Sequence, residues 1–417
     1  MQHVIVGAGP AGVVAAETLR KLDPDADITI IGDEPEPPYS RMAIPYYLID
    51  NIEESGSYLR DPDKHFKAQN IEVVQQRVDK IDAKAKKLTL ADGSSRDYDK
   101  LLIATGSHPI SPPIPGLDLP QVHSCWTLED ARNIIRLAKS GSSVVLIGAG
   151  FIGCIILEAL VKRGVHLAVV EMGNRMVPRM LDEKAGGLLE TWCKNQGIDV
   201  HTSCSVDGIE AAAGDQVEVS LSDGSKLSAA LVITATGVKA NMDLVEGNDI
   251  NTDQGILVNR RMQTSNPDIY AAGDVAQGVD FSTGNFEVQA IQPTATDHGR
   301  VAALNMAGKD DEHHGTLNMN VLDTVGLVSC SFGLWMGVDG GDSAELYNED
   351  EFQYINLQFE GDHLVGASSV GKTQHVGVLR GLIESKIHLG DWKSRLMQDP
   401  TAIMEAYVAC TQELSYS

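Results

Sequence analysis

The chain lacks features that define several large protein classes. Its six cysteines, Cys125, Cys154, Cys193, Cys204, Cys330 and Cys410, are scattered, with no CxxC pair and no metal-ligand spacing. They are expected to be free thiols acting as small hydrophobes in a reducing compartment, so neither a metal centre nor an internal redox pair is anticipated. No apolar run approaches the roughly 20 residues that a membrane span needs. The N-terminus, MQHVIVGAGPAG, enters an apolar strand directly, without the basic start or small-residue cleavage site of a secretory signal. A cytoplasmic location is the expectation. Positive charge is also scarce: 33 Lys and Arg face 58 Asp and Glu, a formal charge of -25. Nucleic acid and anionic membrane surfaces, which call for basic patches, are disfavoured as partners.

What is present is a duplicated pattern. At 417 residues the chain has room for two or three domains, with an ordinary globular content of 43% hydrophobic residues. HVIVGAGPAGVVAAETLRKL reads as an apolar strand, a glycine turn and a helix with Val13, Ala16 and Leu19 on one face, and the strand ADITIIGDE follows. The same order returns at SSVVLIGAGFIGCIILEALVKRG and VHLAVVEMG. Alternating runs such as IEVVQQRVDKID, KKLTLADGS and VEVSLSDGSKLSAALVITATG suggest antiparallel excursions beside parallel sheets. After Gly308 the polar stretch AGKDDEHHG marks a change of domain. Beyond it NLQFEGDHLVGAS suggests a hairpin turning at Gly361 and Asp362, and HVGVLRGLIES a helix with Val376, Leu379 and Ile383 on one face.

Gly7, Gly9 and Gly12 form G-x-G-x-x-G between strand and helix, with Pro10 and Ala11 inside the turn. The first glycine permits the tight turn, the second lets backbone approach a pyrophosphate, and the third lets helix pack on strand. Free N–H groups and the helix dipole then stabilise phosphate without a basic side chain. Asp33 and Glu34 end the next strand, where a ribose hydroxyl would find an acceptor. Gly148, Gly150 and Gly153, with Phe151 and Ile152, repeat the fingerprint, and Glu171 ends its second strand. A carboxylate there accepts from a free 2'-hydroxyl and repels a 2'-phosphate, which favours NADH. Arg175 and Arg179 follow either as acceptors of a 2'-phosphate or as solvated surface charges.

With these motifs the chain resembles the FAD-dependent pyridine nucleotide oxidoreductases that carry two dinucleotide-binding domains, over nearly everything up to Gly308. LLIATGSHP, with Ala104, Thr105 and Gly106, resembles the family segment that returns the chain across FAD, and LVITATGVKAN, around Gly237, its counterpart after the NAD module. NRRMQTSNPDIYAAGDVA is similar to the late FAD motif, in which the aspartate after Gly273, here Asp274, contacts the ribityl chain. IQPTATDHGRVAALNMAG resembles the segment opening a helix toward the flavin pyrimidine, with N–H groups near Pro293, Thr294 and Ala295. PPYSRMAIPYYL resembles the segment where Arg41 faces the cofactor, a surface ion pair being the alternative. Val78 matches the place where backbone meets adenine, or is a strand core residue. The resemblance implies an α/β fold of two Rossmann-like domains, glutathione-reductase-like, with a C-terminal α+β interface domain. The expected boundaries are 1–118 and 243–308 for FAD, 119–242 for NAD, and 309–417 for interface or dimerisation. FAD and NAD are the implied cofactors.

Relatives that reduce disulfides carry a cysteine in or after the PYSR-like segment, where Met42, Ala43, Ile44 and Pro45 stand here. Without a thiolate there is no relay into a disulfide. Ile155 replaces the glutamate that helps position nicotinamide in many relatives, and Glu158 lies elsewhere on the helix. Pro45 and Tyr46 stand where oxygenase-linked reductases often have lysine. FAD chemistry needs no protein nucleophile or base, so no catalytic side chain is expected. The leading expectation is electron transfer between NAD(H) and an iron-sulfur protein or subunit, in either direction, either as a reductase resembling the rubredoxin and ferredoxin reductases or as a subunit of a larger 2-oxoacid or aldehyde oxidoreductase. Alternatives are an NADH oxidase using oxygen or a small acceptor, and an NAD-responsive flavoprotein scaffold. Leu334, Trp335 and Met336 are either exposed partner contacts or core.

Overall fold

Strands rich in Val, Ile and Leu and buried on both faces favour a parallel sheet, and two such sheets organise the chain. A computed structural model describes residues 1–416. The chain forms two compact units: Met1–Ile110 with Trp126–Leu128 and Val238–Thr316, and Ser111–Cys125 with Glu129–Gly237 and everything described from Leu317 onward.

In the first unit five parallel strands run in the order Ile269–Ala271, Lys100–Ile103, Gln2–Val6, Asp27–Gly32, Glu72–Gln75. The helix Pro10–Leu22 leaves the central strand and buries Val13, Ala16 and Leu19 against the sheet, as its periodicity requires. It crosses the helix Gln292–Met306 so closely that a Cβ at Gly299 would lie 2.3 Å from the Ala11 carbonyl oxygen. Part of the run read as an antiparallel excursion is a parallel strand: Glu72–Gln75 closes this sheet, while Val78–Asp82, Lys87–Leu90 and Ser95–Asp97 form the antiparallel one.

The second unit repeats the plan with strands Asp199–His201, His166–Val170, Ser143–Ile147, Leu231–Thr234 and Val122–Ser124, all parallel. Leu231–Thr234 is likewise a member of the parallel sheet, and the antiparallel excursion is limited to Val206–Ala211, Val217–Leu221 and Lys226–Ala229. The C-terminal part is α+β: a five-stranded antiparallel sheet followed by the helices Val376–Ser385, Asp391–Gln398 and Ile403–Tyr416. Its hairpin pairs Glu360 with His363, so the turn falls on Gly361 and Asp362 as the sequence indicates.

Side chains attach this sheet to the NAD-type module within the second unit. Asp182 caps the helix Glu183–Asn195 by accepting from the Ala185 amide at 2.9 Å, and the buried Tyr354 hydroxyl donates to the same carboxylate. Trp192 donates its indole N–H to the Val325 carbonyl and meets Phe352 edge to face at 5.1 Å. The run Leu334 to Met336 divides: Trp335 is buried, whereas Met336 is 77% exposed.

Candidate functional site

The two glycine turns are built alike. Gly7 has φ +118° and Gly148 φ +100°, conformations that favour glycine. A Cβ at Gly7 would lie 2.0 Å from the Ala104 carbonyl oxygen, and one at Gly148 would lie 2.5 Å from that of Ala235. Each turn thus rests on an Ala-Thr-Gly segment, Ala104 to Gly106 in one module and Ala235 to Gly237 in the other. The third glycines are equally constrained: a Cβ at Gly12 would sit 2.0 Å from the Gly7 carbonyl oxygen, and one at Gly153 2.2 Å from that of Gly148. The middle glycines differ. Nothing lies within 4 Å of a Cβ at Gly9 or Gly150. Both cap their helices without a side-chain acceptor, and neither helix has an acidic residue in its first turn. Open space and uncompensated amides fit an anionic dinucleotide at each turn. Pro10 occupies the helix start, where its missing N–H costs nothing, Ala11 is buried, and Phe151 and Ile152 are half-buried at the start of the second helix.

The acidic residues are not equivalent. Val6 pairs with Ile31 and Ile147 with Val170, so Glu171 immediately follows its pair, where the first module has Gly32. Glu171 accepts from the Ala149 amide and the Gly173 amide, each at 2.7 Å. Its negative charge is fixed in place beside the second turn. Arg175 is committed elsewhere, donating to the Leu181 and Pro178 carbonyls and to Asn174, while Arg179 is exposed. In the first module Asp33 is exposed, whereas Glu34 holds Arg41 and the Tyr39 hydroxyl.

Arg41 forms a partly exposed ion pair with Glu34, their side chains 35% and 30% exposed. Its guanidinium lies 5.3 Å from the Tyr39 ring centroid and 5.2 Å from that of Trp126, and donates to the Trp126 carbonyl at 2.8 Å. Burial opposes its charge, but Tyr39, Glu34 and Asp274 together hold its pKa above the ordinary value. Burial likewise raises the Asp274 carboxyl pKa, against the opposing effects of the Ser107 hydroxyl, which donates to it at 2.9 Å, and of Arg41. Gly273, with φ +77°, precedes that aspartate and lies against Ala11 and Ala295, whose Cβ atoms would each be 3.4 Å from a Cβ at residue 273. Of the expected flavin-facing amides, Pro293 carries none and the Ala295 N–H is bonded to the Ile291 carbonyl, which leaves Thr294 among the three. The Val78 side chain lies in the core of the first unit.

Sequence reasoning missed Ser107, Trp126 and Asn241. Asn241 exchanges hydrogen bonds with Thr105: its carbonyl accepts from the Thr105 hydroxyl at 2.9 Å and its amide donates to the Thr105 carbonyl at 2.8 Å. Gly237, with φ +109°, ends the second unit, and the chain re-enters the first as Val238–Ala240 paired with Ser107–Pro109. The repeated Ala-Thr-Gly was the available signal for that pairing.

Burial holds four of the thiols in the protonated form. Cys154 is buried and contacts the Ala149 carbonyl, and burial pushes its pKa up; Cys125, Cys193 and Cys330 are pushed up to about 12. Met42 to Pro45 lie in a 3-10 turn and the start of a short helix, with no cysteine among them. Glu158 pairs with Lys162 one turn further along the same helix. Among the described residues no group of His, Cys, Asp and Glu could hold a metal ion, and no helix is long and apolar enough to cross a membrane.

A family model described as pyridine nucleotide-disulphide oxidoreductase matches residues 1–299. The chain belongs to this family. It is similar to the NADH-dependent phenylglyoxylate dehydrogenase subunit epsilon of Aromatoleum evansii, 32% identical over 407 residues and covering 96% of both chains. The NADH-rubredoxin oxidoreductase of Clostridium acetobutylicum is 28% identical over 385 residues, with 92% of this chain and 94% of that protein covered. Among solved structures, a chain of the covalent putidaredoxin reductase-putidaredoxin complex superposes with TM-score 0.90 at 26% identity, covering 98% of this chain and 99% of that one. Like its family, the protein is an FAD-dependent NAD(H) oxidoreductase with two Rossmann-like modules.

Proposed function

We propose that this protein moves electrons between NAD(H) and an iron-sulfur partner subunit, as the NAD-linked flavin subunit of a larger 2-oxoacid or aldehyde oxidoreductase. The cysteines carry this reading. Five of the six are buried, and none stands in the Arg41 to Pro45 segment, so no thiolate relay to a disulfide stands there, which favours an exit through another protein. End-to-end similarity to a dehydrogenase subunit supports the same conclusion.

When bound, FAD supplies two-electron exchange with nicotinamide and one-electron exchange with an iron-sulfur centre. The chain supplies placement. Gly7, Gly9, Pro10, Ala11 and Gly12 would hold the FAD pyrophosphate, Asp33 and Glu34 the adenosine side, and Arg41, Gly273, Asp274 and Thr294 the flavin side. Ala104, Thr105 and Gly106 would support the turn from beneath. Gly148, Gly150, Phe151, Ile152 and Gly153 would hold the NAD pyrophosphate, and Glu171 its ribose. Residues 309–417 would serve as the partner-docking or dimerisation domain, with exposed Met336 on its surface. The scattered free thiols suit a cytoplasmic location.

NADH should reduce the bound flavin anaerobically, and the protein should turn over slowly in air but rapidly with a reducible rubredoxin or ferredoxin. Rapid oxygen turnover by the isolated chain would replace this reading with an NADH oxidase, an activity named for a Methanocaldococcus jannaschii relative that is 33% identical over 330 residues, covering 77% of this chain and 73% of that protein. Failure of NADH to bleach the flavin would favour a scaffold role instead.

The dinucleotide preference can be measured separately. Glu171→Gln removes the charge beside the NAD ribose and should weaken the kcat/KM preference for NADH over NADPH by about tenfold, about 1.4 kcal/mol. NADPH should not become the better substrate, because Arg175 is tied to three internal acceptors. An unchanged NADH to NADPH ratio would remove the role given to Glu171.

A further inference from the structure

Trp126–Leu128 belong to the first unit although the residues on either side, through Cys125 and from Glu129, belong to the second. A three-residue segment of this kind is held by its own contacts. Leu128 is fully buried. Trp126 reaches the FAD-type module: its indole N–H donates to the Ser107 carbonyl at 3.1 Å, its carbonyl accepts from Arg41 at 2.8 Å, and its ring lies 5.2 Å from the Arg41 guanidinium carbon.

These contacts join the two ends of the site. Arg41 reaches Glu34, beyond the strand Asp27–Gly32, while Ser107 reaches Asp274 through its hydroxyl at 2.9 Å. Arg41 spends three of its five N–H donors on Tyr39, Trp126 and Glu34, which fixes the plane of the guanidinium. A long side chain that must face an anionic cofactor loses less freedom on binding when it is already held this way.

We propose that Trp126 is a positioning residue for FAD, which orients Arg41 by stacking and by its carbonyl, and Asp274 through Ser107. This rests on the reading above that Arg41 and Asp274 face the cofactor. Trp126 needs no contact with FAD itself to act in this way.

The test uses the holoprotein. Release of FAD on dilution is followed by recovery of flavin fluorescence, and the visible circular dichroism of bound flavin reports its seat. Trp126→Leu removes ring and N–H together and should weaken FAD binding by about tenfold and alter the dichroism bands. Trp126→Phe keeps a ring over Arg41 and should restore part of the affinity. If Trp126→Leu releases FAD at the wild-type rate with an unchanged dichroism spectrum, the proposal is wrong. It is equally wrong if Trp126→Phe is no better than Trp126→Leu. Arg41→Gln separates the two levels: if it too leaves FAD binding unchanged, the placement of Arg41 at the cofactor fails. If it weakens FAD while Trp126→Leu does not, only the role of Trp126 fails.

Discussion

Gly7→Ala should yield a protein that melts far below the wild type and retains little FAD, whereas Gly9→Ala should fold normally and lose only affinity. The new methyl at residue 7 would stand 2.0 Å from the Ala104 carbonyl oxygen, on a backbone with φ +118°. Neither atom can yield cheaply, because the Ala104 amide is itself bonded to the Val6 carbonyl at 2.7 Å and so locked to the central strand. Overpacking and a left-handed alanine together cost about 3 to 5 kcal/mol, a large share of what holds a domain folded. At residue 9 the methyl meets nothing within 4 Å, and φ is an ordinary -80°. What it occupies is the space proposed for phosphate. FAD binding should weaken by at least about tenfold while the unfolding temperature of the FAD-free protein stays put. The pair Gly148→Ala and Gly150→Ala should repeat the contrast for NADH, with FAD content preserved in Gly150→Ala. Thermal melts, flavin content and the KM for NADH measure all four variants. Equal destabilisation by Gly7→Ala and Gly9→Ala would mean that the middle glycine serves packing rather than a ligand.

The same glycines explain why so much of the fold was legible in the sequence. A spacing that leaves only glycine able to fit is a steric statement, and the structure meets it at Gly7, Gly12, Gly148 and Gly153 with backbone oxygens within 2.5 Å of the missing Cβ. Apolar periodicity placed Val13, Ala16 and Leu19 on the buried face of their helix for an equally local reason. What escaped was set by distant parts of the chain. Glu72–Gln75 lies in a run that reads as antiparallel, yet it closes a parallel sheet because Asp27–Gly32 presents a free edge to it. Trp126 looks like an ordinary linker residue until the chain folds back on Arg41, and nothing within a few positions of it signals that return. Trp335 and Met336 are adjacent and both apolar, but only tertiary packing decides that the first is buried and the second exposed. The pair Asp33 and Glu34 divides for the same reason, since Arg41 and Tyr39 claim Glu34.

Acid should unfold the first unit and release its flavin in a window well above the usual carboxylate range. His3 and His298 are both in that unit, both nearly inaccessible to solvent, and neither ring has a hydrogen-bond partner among the described residues. Burial pushes His3 from 6.5 down to about 4, assisted by the N-terminal ammonium and Lys100 against Asp23 and Asp99. Burial pushes His298 from 6.5 down to about 3, with the edge-to-face His313 ring at 4.6 Å adding to the effect and Asp297 opposing it. The sign follows from proton uptake. Below pH 6.5 the unfolded chain binds two protons that the folded chain refuses, so stability falls as pH falls, by roughly 1.4 kcal/mol per pH unit for each ring. The loss for His3 stops near pH 4 and that for His298 near pH 3. Asp274, whose carboxyl pKa burial raises, takes up its proton earlier in the folded chain than in the unfolded one and opposes part of this loss, whereas the depressed carboxylates act only lower. Glu17, held low by Arg60 and His65 against burial, and Asp297, held down to about 2 chiefly by His313, lose their contributions only once pH falls below their unfolded values of 4.5 and 3.8. From pH 6.5 to 5.5 the two rings should therefore cost the first unit roughly 2 kcal/mol, seen as earlier flavin release in urea or on heating. Nearer neutrality, between pH 8 and 7, the profile should be almost flat. Replacing His298 with Asn should roughly halve the slope between pH 6 and 5, whatever it does to stability at pH 7. A wild-type profile that is level from pH 7 to 5 would show that one or both rings take up a proton in the folded state.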